Sequence, residues 1–393
     1  MQNFVFHNPT KIIFGRNTIP SIGPETAAWG KRCLLVYGTG SIRGNGVYDA
    51  VQTSLREAGL EVIDHGGVRS NPLLSHVREG IAKVGAHSID VVTAVGGGSV
   101  IDSAKAICAG SAVDHDVWKF FTGKKSIKHA LPLTTVLTLA ASGSEMNSGM
   151  VITNDETREK FGFGNRLLYP RTSILDPEAT FTVPPSYTAY GAVDSIAHVL
   201  EYYMTSEDPA TPVQDRLMEG LVRNAMDACD RCLADRRDYQ GRADLMWTAT
   251  LSLNGLTGAG LGRVGMPMHM IEHSLSALYD APHGAGLSAI IPGWLRWRSR
   301  EDDRKIIQLG ERVFNFDRCG VPRSAAATIH MLEKWFVRAG CPVTLDDLNI
   351  PAADIPAIAE NAVRLARVWR LERYSRETIA EILSLCLAAS GRV

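Results

Sequence analysis

DVVTAVGGGSVIDSAKAICAG, residues 90 to 110, joins two patterns across three glycines. Asp90 to Val95 is a short, nearly continuous apolar run, which predicts a strand buried on both faces. From about Val100 to Gly110 the chain has the character of a helix. A strand, a tight turn and a helix make half of a βαβ unit, and in open α/β sheets ligands bind beyond the carboxyl ends of such strands. Gly96, Gly97 and Gly98 carry no Cβ, so backbone can approach a ligand closely; with Ser99 they lead into a helix start whose free N–H groups favour an anion such as a pyrophosphate. The turn does not match G-x-G-x-x-G.

The alternation extends to both sides. Cys33 to Tyr37 predicts a buried strand that stops at the turn Gly38-Thr39-Gly40-Ser41, and Val47 to Ala58 follows with helical spacing. A short strand near Glu61 to Asp64, a helix across Leu73 to Val84 and a strand at Pro132 to Leu139 continue the series, the last running into the small residues Ala140 to Glu145. Phe4 to Phe6 and Lys11 to Phe14 read as short strands around Asn8-Pro9. Val151 to Asp155 and Lys160 to Gly164 read as a hairpin reaching away from the sheet, in which Lys160 suits a solvated position. Strands alternating with helices predict a largely parallel sheet covered on both faces.

The prolines of Leu175-Asp176-Pro177 and Pro184-Pro185-Ser186 break the pattern, since proline continues neither kind of element. The expected division is therefore an α/β domain over 1–184 and an all-α domain over 185–393. Ser186 is the expected N-cap of a helix over Tyr187 to Met204. Further helices are expected at Val213 to Ala234, Ala243 to Leu253, Met268 to Leu278, Arg304 to Phe314, Ala325 to Ala339, Ile355 to Ala366 and Arg376 to Ser390.

Composition narrows the class. Hydrophobic residues make up 45% of the 393 and charged residues 21%, ordinary for a globular chain and unlike a disordered one. A formal net charge of -1 supplies no electrostatic reason to expect nucleic acid or an anionic membrane as partner. No apolar run approaches the roughly 20 residues of a membrane span, and the start MQNFVFHNPTK lacks the features of a signal or transit peptide, so the cytosol is the expected compartment. Cys33, Cys108, Cys229, Cys232, Cys319, Cys341 and Cys386 show no disulfide framework. Cys229 and Cys232 form a C-x-x-C inside an amphipathic helix with no second pair nearby, where structural zinc usually needs four ligands.

The histidines point to a metal. His7, His65, His76, His87, His115, His129 and His330 have no acidic or imidazole neighbour at ligand spacing. His269, His273 and His283, in MHMIEHSLSALYDAPHG (268–284), do. Asp194 and His198 stand at i, i+4 on one predicted helix and face the same way. Neutral imidazoles with a carboxylate suit a borderline divalent cation. Two chemistries fit. His269-x-x-Glu272-His273 spells H-x-x-E-H, the inverted zinc-peptidase motif, with Glu272 as base. Alternatively Asp194, His198, His269 and His283 bind the metal and His273 stands beside them, which uses every feature including the glycine turns.

GGGSVIDSAKA at 96 to 106, TLAASGSEMNSGMVI at 138 to 152, the Asp194-x-x-x-His198 helix and the 268–284 stretch together resemble the iron-containing (group III) alcohol dehydrogenases. They are most similar to the branch of butanol dehydrogenases and NADPH-dependent aldehyde reductases. The resemblance covers essentially the whole chain and implies a dehydroquinate synthase-like fold, an N-terminal dinucleotide-binding α/β domain and a C-terminal helical domain with cofactor and metal meeting in the cleft between them. By that resemblance Asp194, His198, His269 and His283 would hold a divalent metal, usually iron(II) and in some members zinc. Gly96, Gly97, Gly98 and Ser99 would cradle the pyrophosphate, Thr138 and Ser142 would lie along the nucleotide, Lys160 would approach the nicotinamide ribose, and His273 would border the substrate. The resemblance also implies a homodimer paired through an N-terminal strand.

Members that use NAD resemble one another in an aspartate after the first strand. Here Gly38, Thr39, Gly40 and Ser41 stand there, with Arg43 two residues on, which suits a 2′-phosphate and leads us to expect NADP(H) over NAD(H). The expected reaction is hydride transfer between that cofactor and a primary alcohol or aldehyde, with the metal as Lewis acid and His273 relaying the proton. Met266-Pro267-Met268, Trp294 and Trp297 suit either an apolar substrate pocket or core packing.

Overall fold

A computed structural model describes residues 1–207, 210–316, 320 and 322–388. The chain falls into two compact units, one of His7–Val183 with Asp235–Asn254, the other of Met1–Phe6, Pro184–Ala234 and Gly255–Val393.

The first unit is a six-stranded parallel sheet in the order β1-β8-β5-β4-β2-β3. Its strands are β1 (Lys11–Phe14), β2 (Arg32–Gly38), β3 (Glu61–Val68), β4 (Val91–Gly96), β5 (Leu133–Leu137) and β8 (Thr172–Leu175). Every residue of β4 and β5 is buried, as their largely apolar runs require of strands covered on both faces, and the threonines among them are hydrogen-bonded, Thr93 with Thr134 at 2.9 Å and Thr135 to Ser173 at 2.8 Å. The helices of this unit are α1 (Ile22–Ala27), α2 (Ser41–Gly44), α3 (Val47–Glu57), α4 (Leu74–His87), α5 (Gly98–Gly110) and α6 (Trp118–Phe121), with α9 (Tyr239–Ser252) returning later. β6 (Gly149–Asn154) and β7 (Glu159–Gly164) form the expected antiparallel hairpin.

Two expectations fail here. Phe4 to Phe6 lie outside every strand of the described residues. An extended segment becomes a strand only through a partner ladder, and none of the strand pairings reaches these three residues. Conversely, β8 was not anticipated. Its four residues, TSIL, are too few to show a period, yet they fill the gap between β1 and β5 and are wholly buried.

The second unit is helical. It contains α7 (Pro185–Thr205), α8 (Pro212–Ala234), α10 (Pro267–Tyr279), α11 (His283–Ser299), α12 (Arg304–Phe314), α13 (Ala325–Arg338), α14 (Ile355–Val368) and α15 (Arg376–Ser384). Pro184 occupies the N-cap of α7 and Pro185 its first position, where a fixed φ and a missing N–H cost nothing, so Ser186 lies within the first turn and does not cap it. α11 was not anticipated at all. The last helix ends at Ser384 with Leu385 as its C-cap, short of the expected Ser390; residues 389 and 390 of that range, like Cys319, fall outside the described residues.

The single division at 184/185 also needs correcting. Residues 235–254 belong with the sheet, where Arg16 lies 3.6 Å over the Tyr239 ring, Trp247 meets Phe14 edge-on at 6.0 Å and Thr250 donates to Glu145 at 2.6 Å. Met1–Phe6 belong with the helices, where the Gln2 amide reaches the Gly260 carbonyl at 2.9 Å. No described helix is long and apolar enough to cross a membrane.

Candidate active site

Asp194, His198 and Glu201 follow one another at i, i+4 and i+7 and so share a face of α7. α10 contributes His269, Glu272 and His273, and a tight link through Asp280 in the left-handed region (φ 54) and Pro282 turns the chain so that His283 is the first residue of α11. Gly284 permits the approach of α11 to α7, because a Cβ there would lie 2.2 Å from the Tyr190 carbonyl oxygen.

These three helices bring the imidazoles onto one carboxylate oxygen. Asp194 Oδ1 lies 3.6 Å from His198 Nε2, 3.5 Å from His269 Nε2 and 3.5 Å from His283 Nε2. The spacing is too long for good hydrogen bonds. Among the described residues Asp194 Oδ1 and His269 Nε2 are buried with no hydrogen-bond partner, an arrangement that is costly unless something else satisfies them. Nitrogen and oxygen ligands about 2.1 Å from a shared cation in a tetrahedral array stand about 3.4 Å apart, so the donors fit a metal in both chemistry and spacing.

Electrostatics agree. Burial alone would raise the Asp194 carboxyl, but His198, His283 and His269 outweigh it and hold it well below the usual carboxylate range. Burial, reinforced by the neighbouring imidazoles, pushes His198 down to about 3, leaving the neutral ring that a cation needs. Burial opposes protonation of His269 too, but Asp194 and Glu201 overcome it and bring that ring up to about 9, a sign of excess negative charge at the site.

Two carboxylates that sequence reasoning did not place in these roles orient the imidazoles. Glu201 Oε1 accepts the His269 backbone N–H at 2.8 Å and lies 3.1 Å from its Nδ1, so a proton on Nδ1 leaves the Nε2 lone pair toward Asp194. Its position seven residues after Asp194 was a readable signal. Glu272 Oε2 is hydrogen-bonded to His283 Nδ1, and its Oε1 accepts from Ser276 Oγ at 2.6 Å. That counts against the peptidase alternative. A base for a water must be free to meet it, whereas Glu272 is wholly buried and spent on His283 and Ser276. His273 is beside the site, its ring 5.6 Å from that of His283 and edge-on to Trp369 at 5.5 Å. Glu272, His273 and His283 also lie close enough to one another to form a ligand group. Trp294 is core, buried and bonded through Nε1 to Tyr374 Oη at 3.1 Å.

In the sheet unit the expected glycine turns and Thr138 lie at the carboxyl ends of the adjacent strands β2, β4 and β5. Gly96 ends β4, Gly97 caps α5, and Gly98 and Ser99 are its first residues, whose amides have no acceptor within the helix. Gly98 is held close to Ser142, since a Cβ would come within 2.2 Å of Ser142 Oγ. The Ser99 hydroxyl donates to the Ser70 carbonyl, which leaves its amide as the group available to a phosphate. Thr138, just past β5, donates its N–H to Gly96 O at 3.1 Å. Gly38 ends β2, and Gly40 before α2 has φ +146 with open space where a Cβ would be. Lys160 is not the solvated lysine of an exposed hairpin: it is buried on β7 and donates to Asn71 Oδ1 at 3.0 Å.

Cys229 and Cys232 are buried on α8 and belong to neither possible ligand group of the described residues.

Known proteins carry the same pattern. Residues 9–177 match the family model of the iron-containing alcohol dehydrogenases, and residues 188–387 match that of the C-terminal region of the Fe-containing alcohol dehydrogenase family. The chain is 42% identical to the probable NADH-dependent butanol dehydrogenase 1 of Bacillus subtilis, over 98% of this chain and 100% of that one. It is 33% identical to the NADPH-dependent aldehyde reductase YqhD of Escherichia coli, over 100% of this chain and 99% of that protein. The crystal structure of NADH-dependent butanol dehydrogenase A from Thermotoga maritima superposes with a TM-score of 0.93 at 42% identity, covering 99% of both chains. With its parallel sheet, its helical unit of dehydroquinate synthase-like type and these matches along nearly its whole length, the chain belongs to the iron-containing alcohol dehydrogenases, oxidoreductases that use a divalent metal and a nicotinamide cofactor.

Proposed function

We propose that this protein interconverts a primary alcohol and an aldehyde with NADP(H), using a divalent cation, iron(II) in preference to zinc, held by Asp194, His198, His269 and His283. The observation that supports the reading best is the convergence of three imidazole Nε2 atoms on one unpartnered Asp194 oxygen at 3.5–3.6 Å. When bound, the cation supplies a Lewis acid for the carbonyl oxygen and the nicotinamide supplies hydride. The chain's own residues do the rest. Glu201 and Glu272 hold His269 and His283 in the tautomer that presents Nε2. His273 hands a proton to the product oxygen, directly or through water, from its place beside His283. The Gly98 and Ser99 amides take the pyrophosphate, and Thr138, Ser142 and Lys160 flank the nucleotide.

The preference for NADP(H) rests on the turn after β2. Gly38-Thr39-Gly40-Ser41 offers no carboxylate, and Arg43 is half exposed, with its guanidinium 3.9 Å over the Tyr48 ring and bonded to Tyr37 Oη at 2.6 Å. A cation held in this way suits a 2′-phosphate. One observation favours NAD(H) instead: Asp64 Oδ2 lies 3.5 Å from Arg43 and already offsets part of its charge. The names of the relatives also weigh toward NAD(H): four at 35–42% identity are named NADH-dependent butanol dehydrogenases, whereas the aldehyde reductase at 33% is NADPH-dependent.

The test is elemental analysis of the purified protein combined with oxidation of NADPH and NADH in the presence of graded aldehydes. Iron or zinc near one per chain, and aldehyde-dependent turnover that disappears with chelation, are expected. Full activity after the metal is removed would reject the site. Tighter binding of NADH than of NADPH at equal salt would reject the cofactor preference. A His273→Ala enzyme with unchanged turnover and pH profile would remove the proton role. The homodimer is likewise proposed by resemblance, with Phe4, Val5 and Phe6 exposed at the N-terminus; a monomer in sedimentation would count against it.

A further inference from the structure

α5 is buried from Val100 through Gly110, yet this apolar helix carries Asp102 and Lys105 on one face. Lys105 has no exposed surface. Its Nζ donates toward Ser144 Oγ at 2.9 Å, Asn147 O at 2.9 Å, Asn147 Oδ1 at 3.1 Å and Gly149 O at 2.7 Å, four acceptors for three protons. Asp102 accepts from Ser144 Oγ at 2.6 Å and from the Val151 backbone N–H at 2.9 Å. Burial pushes the Lys105 ammonium down to about 8, against the opposing pull of Asp102 and Glu145.

Stability is a poor account of two charged groups buried so deeply, since apolar residues of similar volume can commonly replace buried charges without loss. Its partners suggest another. Every group that Lys105 and Asp102 hold lies between residues 144 and 151, directly after Ser142 and leading into the hairpin whose other strand bears Lys160. The same helix begins with Gly98, whose missing Cβ lets Ser142 pack against it. The far end of the hairpin is tied separately, through Thr153 N to Pro72 O at 2.8 Å and Lys160 Nζ to Asn71 Oδ1 at 3.0 Å.

We propose that Asp102 and Lys105 are positioning residues for the dinucleotide: α5 presents the phosphate turn at its first residues and, one and two turns later, locks the 142–151 segment so that Ser142 and Lys160 face the same cofactor. This rests on the reading above that the turn, Ser142 and Lys160 contact the cofactor. Neither residue touches it in this account.

The test uses full-length, metal-loaded enzyme carrying Lys105→Met, Asp102→Asn or Lys160→Met. NADPH affinity is read by titration, alongside kcat at saturating cofactor, metal content and melting temperature. For Lys105→Met we expect at least a tenfold weaker Kd and a matching rise in KM for NADPH, with kcat within threefold of wild type and metal content unchanged. A merely structural role would lower melting temperature, kcat and metal content together without singling out the cofactor. Should Lys105→Met fail to fold, the near-isosteric Asp102→Asn decides, with a threefold or greater weakening expected. NADPH binding within twofold of wild type in a folded Lys105→Met or Asp102→Asn enzyme, beside a loss in Lys160→Met, overturns the positioning role alone. A wild-type enzyme that binds neither NADPH nor NADH overturns the cofactor reading and this proposal with it.

Discussion

Replacing Glu201 separates two tasks performed by one oxygen. Oε1 accepts the His269 N–H at 2.8 Å, near the start of α10 where Met266 offers no side-chain cap, and it faces His269 Nδ1 at 3.1 Å. A hydrogen bond to a charged group contributes about 1.5–3 kcal/mol, and its neutral counterpart about half of that. Glu201→Gln retains an acceptor of the same shape. It should therefore weaken cation binding by about 0.75–1.5 kcal/mol, or about 4- to 12-fold. Glu201→Ala removes the whole interaction and should cost about 1.5–3 kcal/mol, about 12- to 160-fold, which overlaps the about 10- to 100-fold typical of groups that orient metal ligands. The alanine variant also loses the helix cap, a further cost of about 0.5–2 kcal/mol in folding that glutamine should spare. Competition against a chromophoric chelator measures the first quantity; urea unfolding of chelator-treated protein measures the second. The expected order is wild type, glutamine, alanine for the cation, with glutamine close to wild type for folding. Cation affinity of Glu201→Gln within twofold of wild type, or equal losses in both variants, would refute the reasoning.

Gly284→Ala places a Cβ 2.2 Å from the Tyr190 carbonyl oxygen and 2.7 Å from its carbon, so α11 must move and take His283 with it. Stability should fall by about 1–3 kcal/mol and cation affinity at least tenfold, while Gly85→Ala, with open space around the new methyl, serves as the neutral control. Unimpaired cation binding in Gly284→Ala would show that His283 does not depend on that contact. His65 supplies a pH prediction. Burial, followed by His76 and Lys83, lowers it from 6.5 to about 4, so as pH falls the unfolded chain takes up this proton before the folded one does. The stability due to the neutral ring is complete above about 6.5 and is lost as pH drops toward 4. Denaturant midpoints from pH 7 to 4.5 should fall more steeply for wild type than for His65→Gln, and parallel profiles would argue against it.

How much of this was legible in the chain depended on whether a segment kept one face in water. β4, its glycine turn and α5 were readable because a strand buried on both faces leaves a nearly continuous apolar run that glycines then interrupt. α12 was readable as an amphipathic pattern, with Ile306, Leu309, Gly310 and Val313 buried, Arg304 exposed and Lys305, Glu311 and Arg312 only half-buried. α11 was not. From Gly284 to Leu295 every residue is buried, and Gly284, Gly286, Pro292 and Gly293 mimic a loop in a stretch that tertiary packing holds helical. β8 was lost for a related reason, four buried residues being too short to display a period.

The site follows the same logic at the scale of single residues. Asp194 and His198 were found because their spacing and their chemistry could be read together along one helix. Glu201 continues that spacing, but a glutamate in a helix is ordinary until a partner is known. Glu272 shows why the partner matters. Within H-x-x-E-H the sequence is silent on which imidazole the carboxylate faces, and a peptidase reading requires it to face water. The choice is made by α11, the helix that periodicity could not show, which brings His283 Nδ1 against Glu272 and His283 Nε2 within 3.5 Å of Asp194. One unrecognised helix therefore both brings His283 to the other three expected ligands and ties up the candidate base, so the two chemistries could not have been separated by motif alone.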